Sequence, residues 1–382
     1  MPTFYEFFAG GGMARAGLGS KWKCLFSNDF DPKKAESYAA NWGGNELWIG
    51  DVAAVKPSDL PTQADLAWAS FPCQDLSQAG AGAGLNGSRS GAFWLFWNLM
   101  TALGQNNQAP KLIVLENVMG ALSSHDGKDF AAIGTALADA GYRFGAVVID
   151  AVKFVPQSRP RLFIIGVQQS LVIADSLTAA RPNSDWHPHA LTDAYKKLPK
   201  RASNAWVWWQ LPPPASRKST FTDLIEDDPE GVRWHSALET ENLFRMMSAM
   251  NRAKVKNAEK LGCRIAGAIY KRTRRDERTG EKIQRAEIRF DDVAGCLRTP
   301  TGGSSRQLIM VVDGKKVRSR LLSPREAARL MGLSDSYQLP KNYNAAYHLA
   351  GDGVAVPVVR HLAEYLLEPL LAFGLPPREK AA

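Results

Sequence analysis

Thr3-Phe4-Tyr5-Glu6-Phe7-Phe8, then Ala9-Gly10-Gly11-Gly12 and a helical pattern from Met13, is the stretch on which the fold turns. An apolar run that ends in glycines before a helix lets backbone amides approach a ligand closely at the helix amino terminus. The alternation continues outward from there. Lys23 to Asn28, Ala64 to Ser70, Lys111 to Leu115, Gly145 to Ala151 and Arg161 to Val167 all read as strands. Strands alternating with helices predict an α/β fold whose open, mostly parallel sheet is covered on both faces. Such sheets bind ligands at the carboxyl ends of their strands.

The chain of 382 residues is long enough for two domains, and its 45% hydrophobic and 22% charged residues exclude a disordered or collagen-like protein. The strongest apolar run, Leu162 to Val167, has the size of a buried strand, so no membrane span is expected. No secretory signal is read at the amino terminus. Cys24, Cys73, Cys263 and Cys296 show neither zinc nor redox spacing. The expectation is therefore no metal and a reduced, cytoplasmic home. From about Gln168 to Val317 periodicity fades into Pro-rich stretches, the Trp206, Trp208 and Trp209 cluster and a basic stretch, which predicts a second, irregular domain. The tryptophans read as a core or interface cluster or as a base-stacking surface. The net charge is +9, and residues 251–289 hold thirteen Lys or Arg against five Asp or Glu. That concentration fits either a solvated face or a nucleic-acid partner with steep salt dependence. Helical patterning returns at Ser323–Leu333 and Val358–Leu371.

The chemistry-bearing residues fall at the expected strand ends. The glycine loop fails as a nicotinamide fingerprint, because the third required position holds Arg15. A formal match at Gly82, Gly84 and Gly87 has no strand before it and reads better as a mobile loop. Asp29 and Asp51 follow the next strands, where a carboxylate can accept ribose hydroxyls; a helix cap or turn residue reads equally well. Phe71-Pro72-Cys73-Gln74 sets a cysteine after a strand, with a proline fixing the turn, as suits an aimed nucleophile. Leu115-Glu116-Asn117-Val118 ends a buried strand in a carboxyl group that is either paired or functional. Gln157-Ser158-Arg159-Pro160-Arg161 supplies two arginines on one face of an extended segment.

With these motifs in view, the sequence resembles the cytosine-C5 DNA methyltransferase family of bacterial or phage modification methylases. The Phe-x-Gly-x-Gly loop, Pro-Cys-Gln, Glu-Asn-Val and Gln-x-Arg-x-Arg look like its successive signatures. Ser88 to Phe93 is similar to the segment after its catalytic loop. Arg320 to Gly332 resembles its late Arg-x-Leu-Thr-Pro-Arg-Glu motif, and Gly351-Asp352-Gly353-Val354 stands at its terminal Gly-Asn-x-Val.

The resemblance implies a Rossmann-like, S-adenosylmethionine-dependent methyltransferase with a smaller target-recognition domain. Residues 1–167 plus 339–382 would form the catalytic domain and 168–338 the recognition domain, with duplex DNA in the cleft between them. Cys73 would add to C6 of a cytosine flipped out of the duplex, and Glu116 would meet N3. Arg159 and Arg161 would orient the base carbonyl and hold the acidic residue. For S-adenosylmethionine, Phe8 would meet the adenine, Gly10 and Gly12 the methionine portion, and Asp29 the ribose. Asp51 would accept from the adenine amino group. Val52, Pro72 and Phe93 would line the pocket, with Asp352 and Val354 at the amino-acid end. Gln74, Ser77 and Arg89 would contact DNA from the catalytic loop. Arg298, Ser304, Ser305 and Arg306 would do so within the segment Arg298 to Gln307. A monomer is expected, and any cognate restriction endonuclease would be a functional partner, not a physical one.

Three departures stand out. Met13 replaces a frequent glycine and narrows the cofactor loop, Ser70 replaces another, and Asp352 replaces the terminal asparagine, an anionic change beside the cofactor. Two alternatives remain. Family members that methylate tRNA carry a Cys-Phe-Thr signature in the second domain; here Cys263-Arg264-Ile265 and Cys296-Leu297-Arg298 stand instead. A DNA-binding relative that has lost catalysis has no need to keep Cys73, Glu116, Arg159 and Arg161 together.

Overall fold

The computed structural model describes residues 1–72, 91–275, 280–298 and 306–374. Their contacts divide the chain into two compact units: Met1–Asp150, Pro160–Pro214 and Val354–Ala382 form the first, Ala151–Arg159 and Ala215–Gly353 the second. The boundary drawn from sequence at 167/168 thus falls inside the first unit, because the stretch up to Pro214 packs onto it.

The first unit is built on seven strands: β1 (Thr3–Phe7), β2 (Lys23–Asp29), β3 (Leu47–Ile49), β4 (Leu66–Ala69), β5 (Leu112–Val118), β6 (Tyr142–Asp150) and β7 (Pro160–Gln168). Their order across the sheet is β3-β2-β1-β4-β5-β7-β6. β1 pairs in parallel with β2 and β4, and β5 with β4, while β7 runs antiparallel to both β5 and β6. The chain order reverses at β1 and β4, the switch point where an open sheet leaves a crevice at its carboxyl edge. The near-continuous burial of β1, β4 and β5 follows from their apolar runs, since helices cover both faces.

α1 (Met13–Leu18) starts directly after the glycine loop, and α2 (Pro32–Trp42) is capped by the Asp31 carboxylate, which accepts from the Lys33 amide. α3 (Ala92–Gln105) and α4 (Lys128–Asp139) contribute Phe93, Phe96, Phe130 and Ile133 to the main core. β8 (Thr178–Ala179), α5 (His189–Lys196), α6 (Lys200–Asn204) and β9 (Trp208–Trp209) complete the stretch that joins the first unit. Its tryptophans pack as core: Trp209 is fully buried and Trp206 lies edge-on to Phe130 and Phe144.

The second unit holds a four-stranded antiparallel sheet ordered β11-β10-β12-β13, formed by β10 (Arg264–Arg275), β11 (Lys282–Arg289), β12 (Leu308–Asp313) and β13 (Lys316–Leu321). α7 (Ala237–Met246) and α8 (Ala249–Lys260) cover one face. Leu243, Met247, Val255 and Ala258 meet Ile269, Ala286, Ile288 and Met310 there. α9 (Pro324–Leu330) opens with a capping box between Ser323 and Glu326, and α10 (Tyr343–Asp352) follows. Arg320 and Glu326 form an ion pair at 2.6 Å with both side chains fully buried.

The last helices, α11 (Val356–Leu362) and α12 (Glu368–Gly374), return to the first unit through the π-turn Ala363–Leu367. α11 lies so close to α1 that a Cβ on Gly17 would sit 2.4 Å from that of Val359. Among the described residues no helix is long and apolar enough to cross a membrane.

Candidate active site

Because β1, β2, β4 and β5 run parallel, their carboxyl ends share one edge of the sheet. At β1 the chain turns sharply, with φ of 58° at Phe8, 56° at Gly10 and 75° at Gly12. A side chain on Gly12 is excluded, because its Cβ would meet the Trp42 Nε1 at 2.4 Å. Asp29, at the end of β2, is buried and holds this loop: Oδ2 accepts from the Gly10 amide at 2.7 Å and Oδ1 from the Asp31 amide at 2.8 Å. Burial pushes the Asp29 carboxyl above the usual carboxylate range, while Lys34 and the two amides oppose that shift. Each of its oxygens retains a lone pair for a further donor.

Asn28 ties β2 to the third strand end, its amide donating to the Gly50 carbonyl at 2.9 Å. Asp51 follows there, exposed, with Oδ1 accepting from the Ala53 amide at 2.9 Å. Val52 is buried behind it. Next to these carboxylates along the chain stand two open apolar side chains, Phe30 directly after Asp29 at 74% exposure and Ile49 two residues before Asp51 at 53%. Sequence reading passed over Phe30, although a bulky aromatic between two aspartates just past a strand is itself a signal. Phe8 is half-buried and packs against the core, and Pro72 is exposed. Phe93 is fully buried against Phe71, at 5.5 Å between ring centroids, so it backs the site from within the core.

Beneath the loop lies Glu6, also fully buried. Its Oε1 accepts from the Arg15 amide in α1 at 3.2 Å, and Oε2 has no hydrogen-bond partner. Burial pushes its carboxyl up to about 8, against the pull of the Arg15 amide and guanidinium.

β5 extends past the Leu115 expected from the apolar run, through Glu116, Asn117 and Val118. The strand tolerates Glu116 because Arg161, beside Val118 in the register of β7, places its Nε 3.2 Å from the Glu116 Oε1. Both side chains are largely buried. Asn117 donates through Nδ2 to the Phe71 carbonyl at 3.2 Å. It thereby fixes the segment Phe71-Pro72 beside the Glu116–Arg161 pair.

Arg159, two residues before Arg161, belongs to the second unit. Its Nη2 donates to the carbonyls of Gly351 at 2.8 Å and Gly353 at 2.6 Å, and its Nη1 to the Leu297 carbonyl at 3.2 Å and the Cys296 Sγ at 3.4 Å. Gln157 is buried in the same unit, donating to the Leu330 carbonyl at 2.7 Å and accepting from the Leu297 amide at 3.1 Å. Among the described residues the two arginines therefore have different partners. Asp352 is exposed at the carboxyl end of α10, and Val354 is buried in the first unit. Arg298 is exposed; Arg306 is half-buried, donating to the Asn344 Oδ1 at 2.7 Å. Cys73, Gln74, Ser77, Arg89, Ser304 and Ser305 lie outside the described residues. No cluster of metal ligands occurs among the described residues.

The mostly parallel α/β sheet is a fold that solved methyltransferases share. The chain superposes on the Dnmt2 methyltransferase of S. pombe with a TM-score of 0.58 and 17% identity, covering 97% of this chain and 99% of that one. The Entamoeba histolytica methyltransferase EhMeth gives 0.58 and 15%, with 97% and 99% covered. Among curated proteins it is 27% identical over 377 residues to the Type II methyltransferase M.NlaX of Neisseria lactamica, spanning 97% of this chain and 98% of that protein. It is 26% identical over 365 residues to M.HhaI of Haemophilus parahaemolyticus, spanning 94% and 92%. The chain belongs to the C-5 cytosine-specific DNA methylase family, whose profile matches residues 2–368, and so is an enzyme that methylates cytosine in DNA at C5.

Proposed function

We propose that the enzyme methylates a cytosine flipped out of duplex DNA, through a covalent adduct to Cys73 and with S-adenosylmethionine as donor. The observation that carries this reading is the Glu116–Arg161 pair next to Phe71-Pro72, the segment that leads into Cys73. Burial gives the pair one geometry and excludes water from a base that meets it.

The thiolate of Cys73 adds to C6, and the C5–C6 π electrons move toward C5. Glu116 meets N3 and delivers a proton as negative charge builds on the ring, while Arg161 holds its carboxyl group in place. S-adenosylmethionine supplies an electrophilic methyl carbon to C5. Loss of the C5 proton to a base then restores the double bond and expels the Cys73 thiolate, and N3 returns its proton to Glu116.

The strand edge fits the donor. The glycine turn admits a ligand close to the backbone, Asp29 and Asp51 offer acceptors for ribose hydroxyls and an adenine amino group, and Phe30 and Ile49 offer apolar surface for a purine. Gly10, Gly12, Phe8 and Val52 complete that surround, Pro72 borders it, and Asp352 and Val354 remain assigned to the amino-acid end. The second unit, with Arg298 and Arg306, would recognise the DNA sequence, and Gln74, Ser77, Arg89, Ser304 and Ser305 keep their assignment as DNA contacts. The relatives' names as Type II methyltransferases favour a modification enzyme of a restriction–modification pair, and a monomer remains the expectation.

Labelled S-adenosylmethionine incubated with unmethylated genomic DNA tests the reading. Label recovered as 5-methyldeoxycytidine supports it. Label that goes to RNA cytosine and leaves DNA bare overturns it.

A further inference from the structure

β10 pairs with β12 only from Arg264 to Ile269, and beyond that point its sole strand partner among the described residues is β11. Residues 270–275 and 282–287 thus form a two-stranded ribbon that runs past the sheet. Directly opposed residues of an antiparallel pair share a face. One face carries Tyr270, Arg272, Arg274, Ile283, Arg285 and Glu287. Arg272 and Arg274 share Glu287 there, at 3.4 Å and 2.6 Å, so that the opposition of Arg272 to Arg285 is offset by a carboxylate, and Arg272 also lies over the Tyr270 ring.

The other face continues the side of the sheet that α7 and α8 cover, beyond the buried Ile269, Ala286 and Ile288. It carries Lys271, Thr273, Arg275, Lys282 and Gln284, and none of its three cations has an ion pair with a described residue. Arg275 stands directly opposite Lys282, and both are exposed. Like charges directly opposed in a strand pair are destabilising, and on this face no described carboxylate offsets them as Glu287 does on the other. On the same side of the sheet, α8 exposes Arg252, Lys256 and Lys260, spaced four residues apart along one line of the helix.

We propose that this α8-side face of the ribbon is a phosphate-binding surface that grips duplex DNA without reading its sequence. The inference rests on DNA being the substrate. Lys271 and Arg275 lie about 13 Å apart along the strand, a span over which a duplex presents several phosphates. Binding of the polyanion relieves the Arg275–Lys282 repulsion and releases condensed counterions, so the array stabilises the complex at the expense of the free protein. Lysine is a point charge without arginine's fork, and Thr273 and Gln284 between the cations donate equally well to any phosphate oxygen.

The test is a triple variant, Lys271→Gln, Arg275→Gln and Lys282→Gln, assayed for binding to duplexes of increasing length over a range of salt. The expected result is affinity for long duplexes of any sequence weakened roughly tenfold or more, and a slope of log affinity against log salt reduced by about 2 to 3. The melting temperature should be equal or higher, because the opposed charges are gone. Arg274→Gln on the other face is the control and should leave the slope unchanged. A folded triple variant with the wild-type slope, or a control that lowers the slope as much per charge, overturns the proposal. Wild-type protein that fails to bind duplex DNA overturns the substrate reading and this proposal with it; an unchanged variant beside a binding wild type overturns this proposal alone.

Discussion

In the first unit, charged groups near the strand ends are turned inward and matched: Glu116 against Arg161 and Asp29 against two backbone amides. Along the ribbon of the second unit, Lys271, Arg275 and Lys282 have no ion pair with a described residue, and Arg275 even opposes Lys282. The difference follows from solvent. A buried charge without a partner costs several kcal/mol, so buried ones survive only where partners fix their geometry, which is what a reacting base needs. An exposed unmatched charge costs a few tenths of that and stays available to a polyanion.

The largest effect should come from breaking the inner match. Arg161→Leu leaves Glu116 buried without its guanidinium, and the rate of methyl transfer in a single turnover should fall about 10²- to 10⁴-fold. Binding to nonspecific duplex should hold at the wild-type salt slope, which separates this variant from the ribbon triple variant. Activity within about threefold of wild type would show that Glu116 needs no partner to act, and the comparison would fail.

A smaller effect separates Glu6 from Glu116, because Glu6 has one oxygen without a partner. Its carboxyl is pushed up to about 8 by burial, so the folded state holds its proton more tightly than the unfolded chain does. That contribution to stability is complete below the unfolded value, near 4.5, and is lost as pH rises through about 8. The melting temperature should therefore fall by about 5 °C between about pH 5 and pH 9, and Glu6→Gln should flatten that fall. A wild-type profile that is flat over this range would mean that Glu6 is matched as fully as its neighbours.

How much of this was legible depended on burial in the same way. β1, β2, β4, β6 and β7 could be read from apolar runs, and β5 was read short only because Glu116 looks like a strand end when Arg161 is out of view. The sheet of the second unit escaped the pattern. Past Ile269, only Ala286 of the two paired strands is buried, and charged residues stand on both sides, so no apolar alternation remains. Cys73, Glu116, Arg159 and Arg161 were singled out through their motifs. Spacing along the chain does not register that packing passes from one unit to the other at Pro160. Asp29 and Asp51, left open between ligand acceptor and cap or turn residue, each accept from a backbone amide and keep lone pairs to spare.

The central claim is the covalent role of Cys73, and DNA carrying 5-fluorocytosine in place of cytosine tests it most directly. Fluorine cannot leave C5 as a cation, so after methyl transfer the ring stays bonded to the attacking thiol. The account predicts a complex that survives denaturation, carries the labelled methyl group, and yields on digestion a modified peptide containing Cys73; Cys73→Ala should form none. Methyl transfer to C5 with no adduct, or an adduct on Cys24, Cys263 or Cys296, would contradict it.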